Sequence, residues 1–234
     1  MCKRISPAAA QRAKALEEAR ISDLPRVKEK LADREAELAK QKKLAEELKS
    51  RRVYLKPTKE QKEMAIRIAG DRNRRKQKKF GAMNYKSQIK PKRTGYKTHF
   101  IGMVGEVLAA QFCGGEVDET ISDDHGDNGI DTNVPGVGEC GIKTTTHTGE
   151  PWLRVEVEHF KENMIYIACA YDFDEEKGDD QEFYIAGWAT SDEVKHGVKK
   201  TLVDDGPLDL VLEEHELHPW SELQGLIDDN KKTG

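Results

Sequence analysis

The sequence predicts an α+β or α/β domain that follows a basic, mainly helical N-terminal extension. In the first hundred residues, charged side chains dominate and the apolar residues recur at helical spacing. The later residues contain one apolar helix followed by several short segments that alternate between apolar and polar residues, as strands do. Helices mixed with several strands are typical of these two fold classes. We therefore expect two parts, residues 1–95 and residues 96–234.

Charge is distributed very unequally along the 234 residues. Residues 1–100 contain 30 Lys and Arg against 12 Asp and Glu, whereas residues 101–234 contain 9 against 31. An excess of positive charge in one half suggests that this half binds nucleic acid or another anionic surface. Two alternatives are a solvated arm whose charges serve solubility and an arm that docks on the acidic half of its own chain.

The basic extension is predicted to contain two helices and a connector. Asp23 can cap the first helix, whose heptad-like apolar stripe indicates either a coiled coil over residues 24–50 or a helix packed on its own domain. Thr58 and Gln61 have the spacing of a capping box for the second helix. Residues 72–97 follow as a basic connector, which is either a solvated linker or a segment that tracks phosphates. The candidate nucleic-acid-binding residues are Arg72, Arg74, Arg75, Lys76, Lys78, Lys79, Lys90, Lys92 and Arg93.

The acidic part is predicted to begin with a buried helix at 100–112, which is apolar and rich in small residues. Short strand-like runs follow at 117–121, 130–134, 137–146, 153–157, 165–173 and 183–188, and helical pieces at 191–198 and 220–227. The acidic segment 172–182 is predicted to be a hairpin loop.

Several classes of protein do not fit the sequence. It contains no run of about 18 uncharged apolar residues, so we expect no membrane span, and the first residues lack the apolar stretch of a signal peptide. The four cysteines include no CxxC pair, which argues against a structural zinc site and a disulfide framework. We expect reduced thiols and a cytoplasmic location, which would be the host cytoplasm for a viral protein.

Four ionisable residues suggest chemistry because of where they lie. Glu106 lies within the apolar helix, where a carboxylate is costly unless it is paired or binds a cation. Asp131 lies in a predicted strand, and Glu139 and Lys143 lie four residues apart in the next one, so they share a face. Carboxylates that hold Mg²⁺ or Mn²⁺, together with a lysine that orients a water, suit phosphodiester hydrolysis. The alternatives are a Glu106 paired with a basic residue of the N-terminal half and exposed strand positions for the others.

The turn between the two strands decides whether Asp131 and Lys143 meet. Pro135 and Gly136 occupy the central positions of a type II turn, which fits a two-residue hairpin loop poorly. With a strict two-residue loop, Asp131 would lie opposite Cys140 and face away from Lys143. A three-residue loop or a bulge would place it opposite Gly141 instead, with Glu139 and Lys143 as its diagonal neighbours.

These residues resemble the PD-(D/E)XK nuclease superfamily, whose core is a restriction-endonuclease-like αβββαβ unit. The resemblance is carried by Glu106 in its apolar helix, then GDNGIDTNV, then GECGIKTTT, and covers about residues 95–225. The later segment FYIAGWATSDEV is similar to segments in microbial and phage members. The resemblance implies that Glu106 and Asp131 are metal ligands and that Lys143 is the catalytic lysine.

One position departs from the family pattern, because the second carboxylate is expected at Gly141. Either Glu139 replaces it as a migrated metal ligand, or the site has lost its activity. The first alternative predicts an Mg²⁺- or Mn²⁺-dependent endonuclease, with DNA as its expected substrate and the basic half as its grip. The second predicts a catalytically degenerate nuclease-fold protein that acts as a nucleic-acid-binding or scaffold module. A helical arm and the habit of the superfamily make a homodimer the expected assembly.

Overall fold

The computed structural model describes residues 7–84, 95–119, 129–172, 181–201 and 206–233, with side chains placed for 28–75, 99–119, 129–172, 181–201 and 206–229. The chain is a mixed α/β protein, as the sequence predicts. Its helices are α1 Pro7–Arg51, α2 Lys59–Asn84, α3 Gly95–Phe112, α4 Ser191–His196 and α5 Trp220–Thr233. Its strands are β1 Val53–Leu55, β2 Thr132–Val134, β3 Gly138–Thr145, β4 Leu153–Glu156, β5 Ile165–Tyr171, β6 Phe183–Thr190, β7 Val198–Thr201 and β8 Leu208–Leu212.

The strands form two sheets. The larger sheet has the order β1-β6-β5-β3-β2, in which β3 and β5 are parallel and the other pairs are antiparallel. The smaller sheet has the order β4-β8-β7 and is antiparallel throughout. Five described strands lie between α3 and α4, so the element order is longer than a strict αβββαβ succession.

Side chains on opposite faces of the larger sheet enter two different hydrophobic clusters, because successive residues of a strand point to opposite faces. On β5, Ile167 and Cys169 pack with residues of α2, α3 and α5. Tyr166 and Ala168 on the same strand pack instead with the smaller sheet, through residues such as Leu153 and others on β8 and α4. The larger sheet therefore lies between a helical layer and the smaller sheet.

Helix α1 belongs to a unit of its own. Contacts divide the chain into residues 1–50 and residues 51–234, rather than at the expected boundary between 95 and 96. The helix is continuous from Pro7 to Arg51 and includes Pro25, so the predicted start at Asp23 is wrong. The segment 24–50, predicted as a coiled coil, lies entirely within this helix.

Helix α2 belongs to the second unit and corrects the predicted connector. Thr58 and Gln61 form the expected capping box, with Thr58 N donating to Gln61 Oε1 at 2.8 Å and Gln61 N donating to Thr58 Oγ1 at 3.2 Å. Ala65 and Ile68 are buried in the cluster shared with α3. The helix continues to Asn84, so residues 72–84 are helical rather than an irregular linker. Of the rest of the predicted connector, residues 85–94 lie outside the described part of the chain, and residues 95–97 belong to α3.

The predicted strands from 130 onward are present, with ends shifted by at most two residues. Three described strands were not predicted, namely β1, β7 and β8. The first two have only three and four residues, which is too short for an alternation to stand out. The predicted strand at 117–121 is not a strand over 117–119, and its last two residues lie outside the described part.

Two findings bear on the classes of protein considered above. In the described part of the chain, no helix is long and apolar enough to cross a membrane. Cys113, Cys140 and Cys169 are buried and not joined in disulfides. Burial raises the pKa of the Cys113 and Cys140 thiols to about 12 in each case, with a neighbouring charge as a smaller cause. These thiols therefore remain protonated near neutral pH.

Candidate functional site

The turn between β2 and β3 is a three-residue loop. Val134 pairs with Gly138, and Val137 N donates to Val134 O at 3.0 Å, which closes a β-turn around Pro135 and Gly136. Gly136 and Gly138 have φ angles of 81° and 101°, which residues with a Cβ rarely adopt. This is the loop length that the shifted hairpin requires. The strand pairing runs from Val134–Gly138 to Thr132–Cys140, and beyond it Asp131 N donates to Cys140 O at 2.9 Å.

The hairpin brings Asp131 and Lys143 together. Asp131 Oδ2 lies 3.5 Å from Lys143 Nζ and accepts a hydrogen bond of 2.5 Å from the backbone N–H of Ile142. The Asp131 side chain is only 3% exposed, whereas that of Lys143 is 31% exposed. A buried carboxylate needs such partners, because burial without them would cost several kcal/mol. The pair therefore combines a fixed anion with a cation that solvent and ligands can reach.

The two faces of β3 carry different groups. Thr144 contacts Gly105 of α3, and Cys140 and Ile142 join the hydrophobic cluster that contains α3. Since alternate residues of a strand share a face, Lys143 projects from the opposite face, away from α3. Tyr166 of the neighbouring strand β5 belongs to that second face. Burial raises the pKa of Tyr166, and the nearby charges of Lys143 and Asp131 act on it in opposite directions.

Glu106 is engaged within the helical layer. Arg72 Nη1 lies 3.0 Å from Glu106 Oε2, and Arg72 Nη2 donates to the backbone oxygen of Asp118 at 3.1 Å. Both side chains of the ion pair are largely buried, at 14% and 13% exposure. This is the alternative in which Glu106 pairs with a basic residue of the N-terminal half. The same contact assigns Arg72 a structural role, so it is not a solvated arginine available to nucleic acid.

Gly141 and Glu139 lie on the same face of β3 as Lys143, and their surroundings differ. A Cβ at Gly141 would lie 3.1 Å from Tyr166 Cδ1 and 3.1 Å from Met164 Cε, which is tighter than an ordinary contact. The Tyr166 ring thus fills the space next to the position where the family pattern has its second carboxylate. Glu139 pairs in register with Asn133 and is solvent-exposed.

The structure therefore does not assemble the predicted set of three metal ligands. Among the described residues, which include Glu106, Asp131 and Glu139, no three His, Cys, Asp or Glu side chains are grouped so that they could hold a metal ion. Sequence reasoning missed Tyr166, because its proximity to Gly141 depends on pairing between β3 and β5, whose residues are 25 positions apart.

The candidate nucleic-acid-binding residues differ in what the structure says of them. Arg72 is paired with Glu106, and Arg74 forms an ion pair with Asp71 on its own helix. Arg75 is partly buried on α2. Lys76, Lys78 and Lys79 lie on α2 without described side chains, and Lys90, Lys92 and Arg93 lie outside the described residues.

Comparison with known proteins adds no family to this geometry. No protein-family model matches the chain, and no curated protein or solved structure matches it.

Proposed function

We propose that this chain is a metal-dependent endonuclease of the restriction-endonuclease-like fold, with DNA as its substrate and Asp131 and Lys143 as its reactive pair. The observation that supports the proposal is the 3.5 Å contact between Asp131 and Lys143 across the β2–β3 hairpin. That contact depends on a three-residue loop, which the sequence of the turn permits but does not require.

The two side chains have complementary roles in this mechanism. Ile142 N–H and the Lys143 ammonium hold the Asp131 carboxylate in place, so it does not have to reorganise when a phosphate arrives. Lys143 is the more exposed partner, and its ammonium can orient the attacking water and offset charge that develops on the phosphate. Lys143 is the single Lys or Arg in the sequence between Lys97 and Arg154.

Asp131 could bind a magnesium ion without the other two predicted ligands. Mg²⁺ keeps several water ligands and needs only one or two protein carboxylates together with substrate phosphate oxygens. Asp131 would supply one carboxylate, and Glu139 on the same strand face as Lys143 is the candidate for a second. When bound, the metal would lower the pKa of a coordinated water and so supply the nucleophile. Glu106 is assigned no metal here, because Arg72 already neutralises it.

A second function is favoured by one observation, the Tyr166 ring beside Gly141. A phenyl ring packed at this position leaves no room for the second carboxylate of the family pattern without movement of the core. In this alternative the fold is kept for nucleic-acid binding or scaffolding, and the site does not cut.

Cleavage assays on the full chain distinguish the two functions. Linear and supercoiled DNA and RNA are incubated with Mg²⁺, with Mn²⁺ and with Ca²⁺, and the products are followed by gel. For the endonuclease we expect cleavage with Mg²⁺ or Mn²⁺ and loss of at least ~100-fold in rate, about 2.7 kcal/mol of barrier, in Asp131→Asn and in Lys143→Met. Lys199→Met is the matched control, because Lys199 is an exposed strand lysine of the smaller sheet.

Cleavage that survives both Asp131→Asn and Lys143→Met would show that the activity does not come from this site. The same conclusion would follow if Lys199→Met lowered the cleavage rate as much as these two substitutions. Binding of nucleic acid without cleavage in any of the metals would select the binding module. Circular dichroism of Asp131→Asn is needed beside these assays, because Asp131 is buried and its loss of charge changes the partners of Lys143 and Ile142.

The basic grip is tested by salt dependence. Neutralising about five phosphates gives a slope near −4.5 for the logarithm of affinity against the logarithm of salt concentration. Replacing Lys76, Lys78 and Lys79 with Gln should make this slope shallower by up to ~2.7. The control replaces Lys161, Lys195 and Lys199 with Gln, which removes equal charge from residues outside α2, in the acidic part 96–234 of the sequence. An equal change in the two triple variants would mean that net charge, and not α2, sets the affinity.

A further inference from the structure

Among its described side chains, helix α1 carries an exposed apolar stripe. Leu31 and Leu38 are 53% and 48% exposed although they lie one heptad apart on the same face of the helix. Leu44, which is 44% exposed, flanks the small residue Ala45 at the next heptad. Leucines exposed at regular heptad positions of a long helix are typical of an interface between helices.

The charges beside the stripe indicate which helix covers it. If Leu31, Leu38 and Ala45 are placed at heptad position a, then Lys30 and Glu37 fall at position g, and Glu35 and Lys42 fall at position e. In a parallel two-stranded coiled coil, each g residue lies near the e residue that follows five positions later on the partner. In such a pair, Lys30 of one copy lies near Glu35 of the other, and Glu37 of one copy lies near Lys42 of the other.

An antiparallel pair that packs Leu38 at position a against Arg34 at position d of the partner is less well matched. In that register positions g face positions g and positions e face positions e, so that Glu37 and Glu35 each lie near their own copies. Like charges at this distance repel, whereas the parallel arrangement makes all described e and g charge pairs in the segment 30–42 attractive.

We infer that α1 forms a parallel, in-register coiled coil with a second copy of this chain. Leu31, Leu38 and Leu48 supply its apolar layers, and the polar d positions Arg34 and Gln41 fix the register at a cost in stability. The partner is thus neither nucleic acid nor another protein but a second copy of the chain. Because two of the layers are polar, the dimer dissociates on dilution.

Disulfide cross-linking tests both the partner and its direction. In the full chain with Cys2→Ser, Leu38→Cys places a thiol at position a, where each copy faces itself only in a parallel, in-register pair. The control Ala36→Cys places a thiol at position f, on the far side of the same helix. With oxidised glutathione as the oxidant, we expect a covalent dimer for Leu38→Cys at least ~10-fold in excess of that for Ala36→Cys.

Sedimentation gives a second, independent readout. Glu37→Lys should weaken the dimerisation constant at least ~10-fold, and the exchange Glu37→Lys with Lys42→Glu should restore it, because the g–e pair is re-formed with its charges reversed. A chain that sediments as a monomer at all concentrations would overturn the inference, as would equal cross-linking at positions 36 and 38. An exchange variant that fails to recover would overturn the parallel register.

Discussion

The ring of Tyr166 lies against Gly141, with ring carbons 3.1 Å from the point at which a Cβ would be attached. Gly141 is the position where the family pattern has its second carboxylate. Tyr166 is held in place because its hydroxyl group accepts a hydrogen bond from the backbone N–H of Lys161 and donates one to the backbone oxygen of Lys161. A carboxylate side chain at position 141 would therefore collide with Tyr166 of β5, the strand that pairs with β3.

The first prediction concerns this contact. Gly141→Ala should lower the free energy of unfolding by about 1–3 kcal/mol, because the added methyl group overpacks the space beside Tyr166 and Met164. Gly149→Ala is the control, since no atom lies within 4 Å of a Cβ at that position, and we expect it to change stability by less than ~0.5 kcal/mol. Urea unfolding measures both.

The same contact decides how a second carboxylate should be introduced. Gly141→Glu alone should destabilise the chain more than Gly141→Ala, because the larger side chain must displace the buried ring of Tyr166. A Gly141→Glu protein as stable as the unmodified chain would show that the ring moves aside easily.

The second prediction concerns the buried ion pair between Arg52 and Glu214. Arg52 Nε and Nη2 lie 2.6 and 2.7 Å from the two carboxylate oxygens, and Nη2 also donates to the carbonyl oxygen of Gly149 at 2.8 Å. The hydrogen bonds to Glu214 raise the pKa of Arg52 above the usual value of an arginine, although burial acts in the opposite direction. Arg52→Ala should cost about 3–5 kcal/mol, because it leaves Glu214 buried without its partner.

A double substitution checks that explanation. Arg52→Met combined with Glu214→Leu should recover much of the loss, since it removes both charges from the interior. Lys195→Ala, which breaks an exposed pair with Glu162, should change the free energy of unfolding by less than ~1 kcal/mol. If Arg52→Ala were as mild as Lys195→Ala, the buried pair would have no special role.

The third prediction is a pH dependence of stability at His218. His218 Nε2 lies 2.7 Å from Glu193 Oε1, and this hydrogen bond raises the pKa of His218 above its usual 6.5. Glu222 lies 3.1 Å from the other ring nitrogen and acts in the same direction. Burial alone would raise the pKa of Glu193, but its hydrogen bonds with Thr190 and His218 bring it below 4.5.

The two shifts define a pH window. A raised histidine pKa stabilises the folded state fully below pH 6.5, and this contribution is lost as the pH rises through the folded pKa. The lowered glutamate pKa contributes above about pH 4.5 and is lost on acidification. His218→Gln should therefore flatten the fall in melting temperature between pH 6 and 8, whereas the exposed His147→Gln should not. An unchanged pH profile in His218→Gln would contradict the assignment.

The fourth prediction concerns truncation. A chain of residues 51–234 should fold with its melting temperature nearly unchanged, because these residues form a unit of their own. A chain of residues 98–234 should lose more than ~5 kcal/mol, comparable with the whole stability of a small domain. It lacks β1, the Arg52 ion pair and the buried residues Ala65 and Ile68 of α2. Equal melting temperatures for the two truncations would place the boundary near residue 95 after all.

The sequence alone was sufficient for features that depend on residues close in the chain. The short strand-like runs predict β2 to β6, the spacing of Thr58 and Gln61 predicts the cap of α2, and the apolar run predicts α3. The turn around Pro135 left two hairpin registers open, since a type II turn disfavours a two-residue hairpin loop without excluding it.

Only the tertiary structure decided the composition of the candidate site. The three-residue loop brings Asp131 next to Lys143. The packing of α2 on α3 pairs Glu106 with Arg72. The parallel pairing of β3 with β5 places Tyr166 beside Gly141. These contacts join residues between 12 and 34 positions apart, and their partners are selected by burial and charge neutralisation across elements. A local pattern carries no information on which distant residue will satisfy a buried charge.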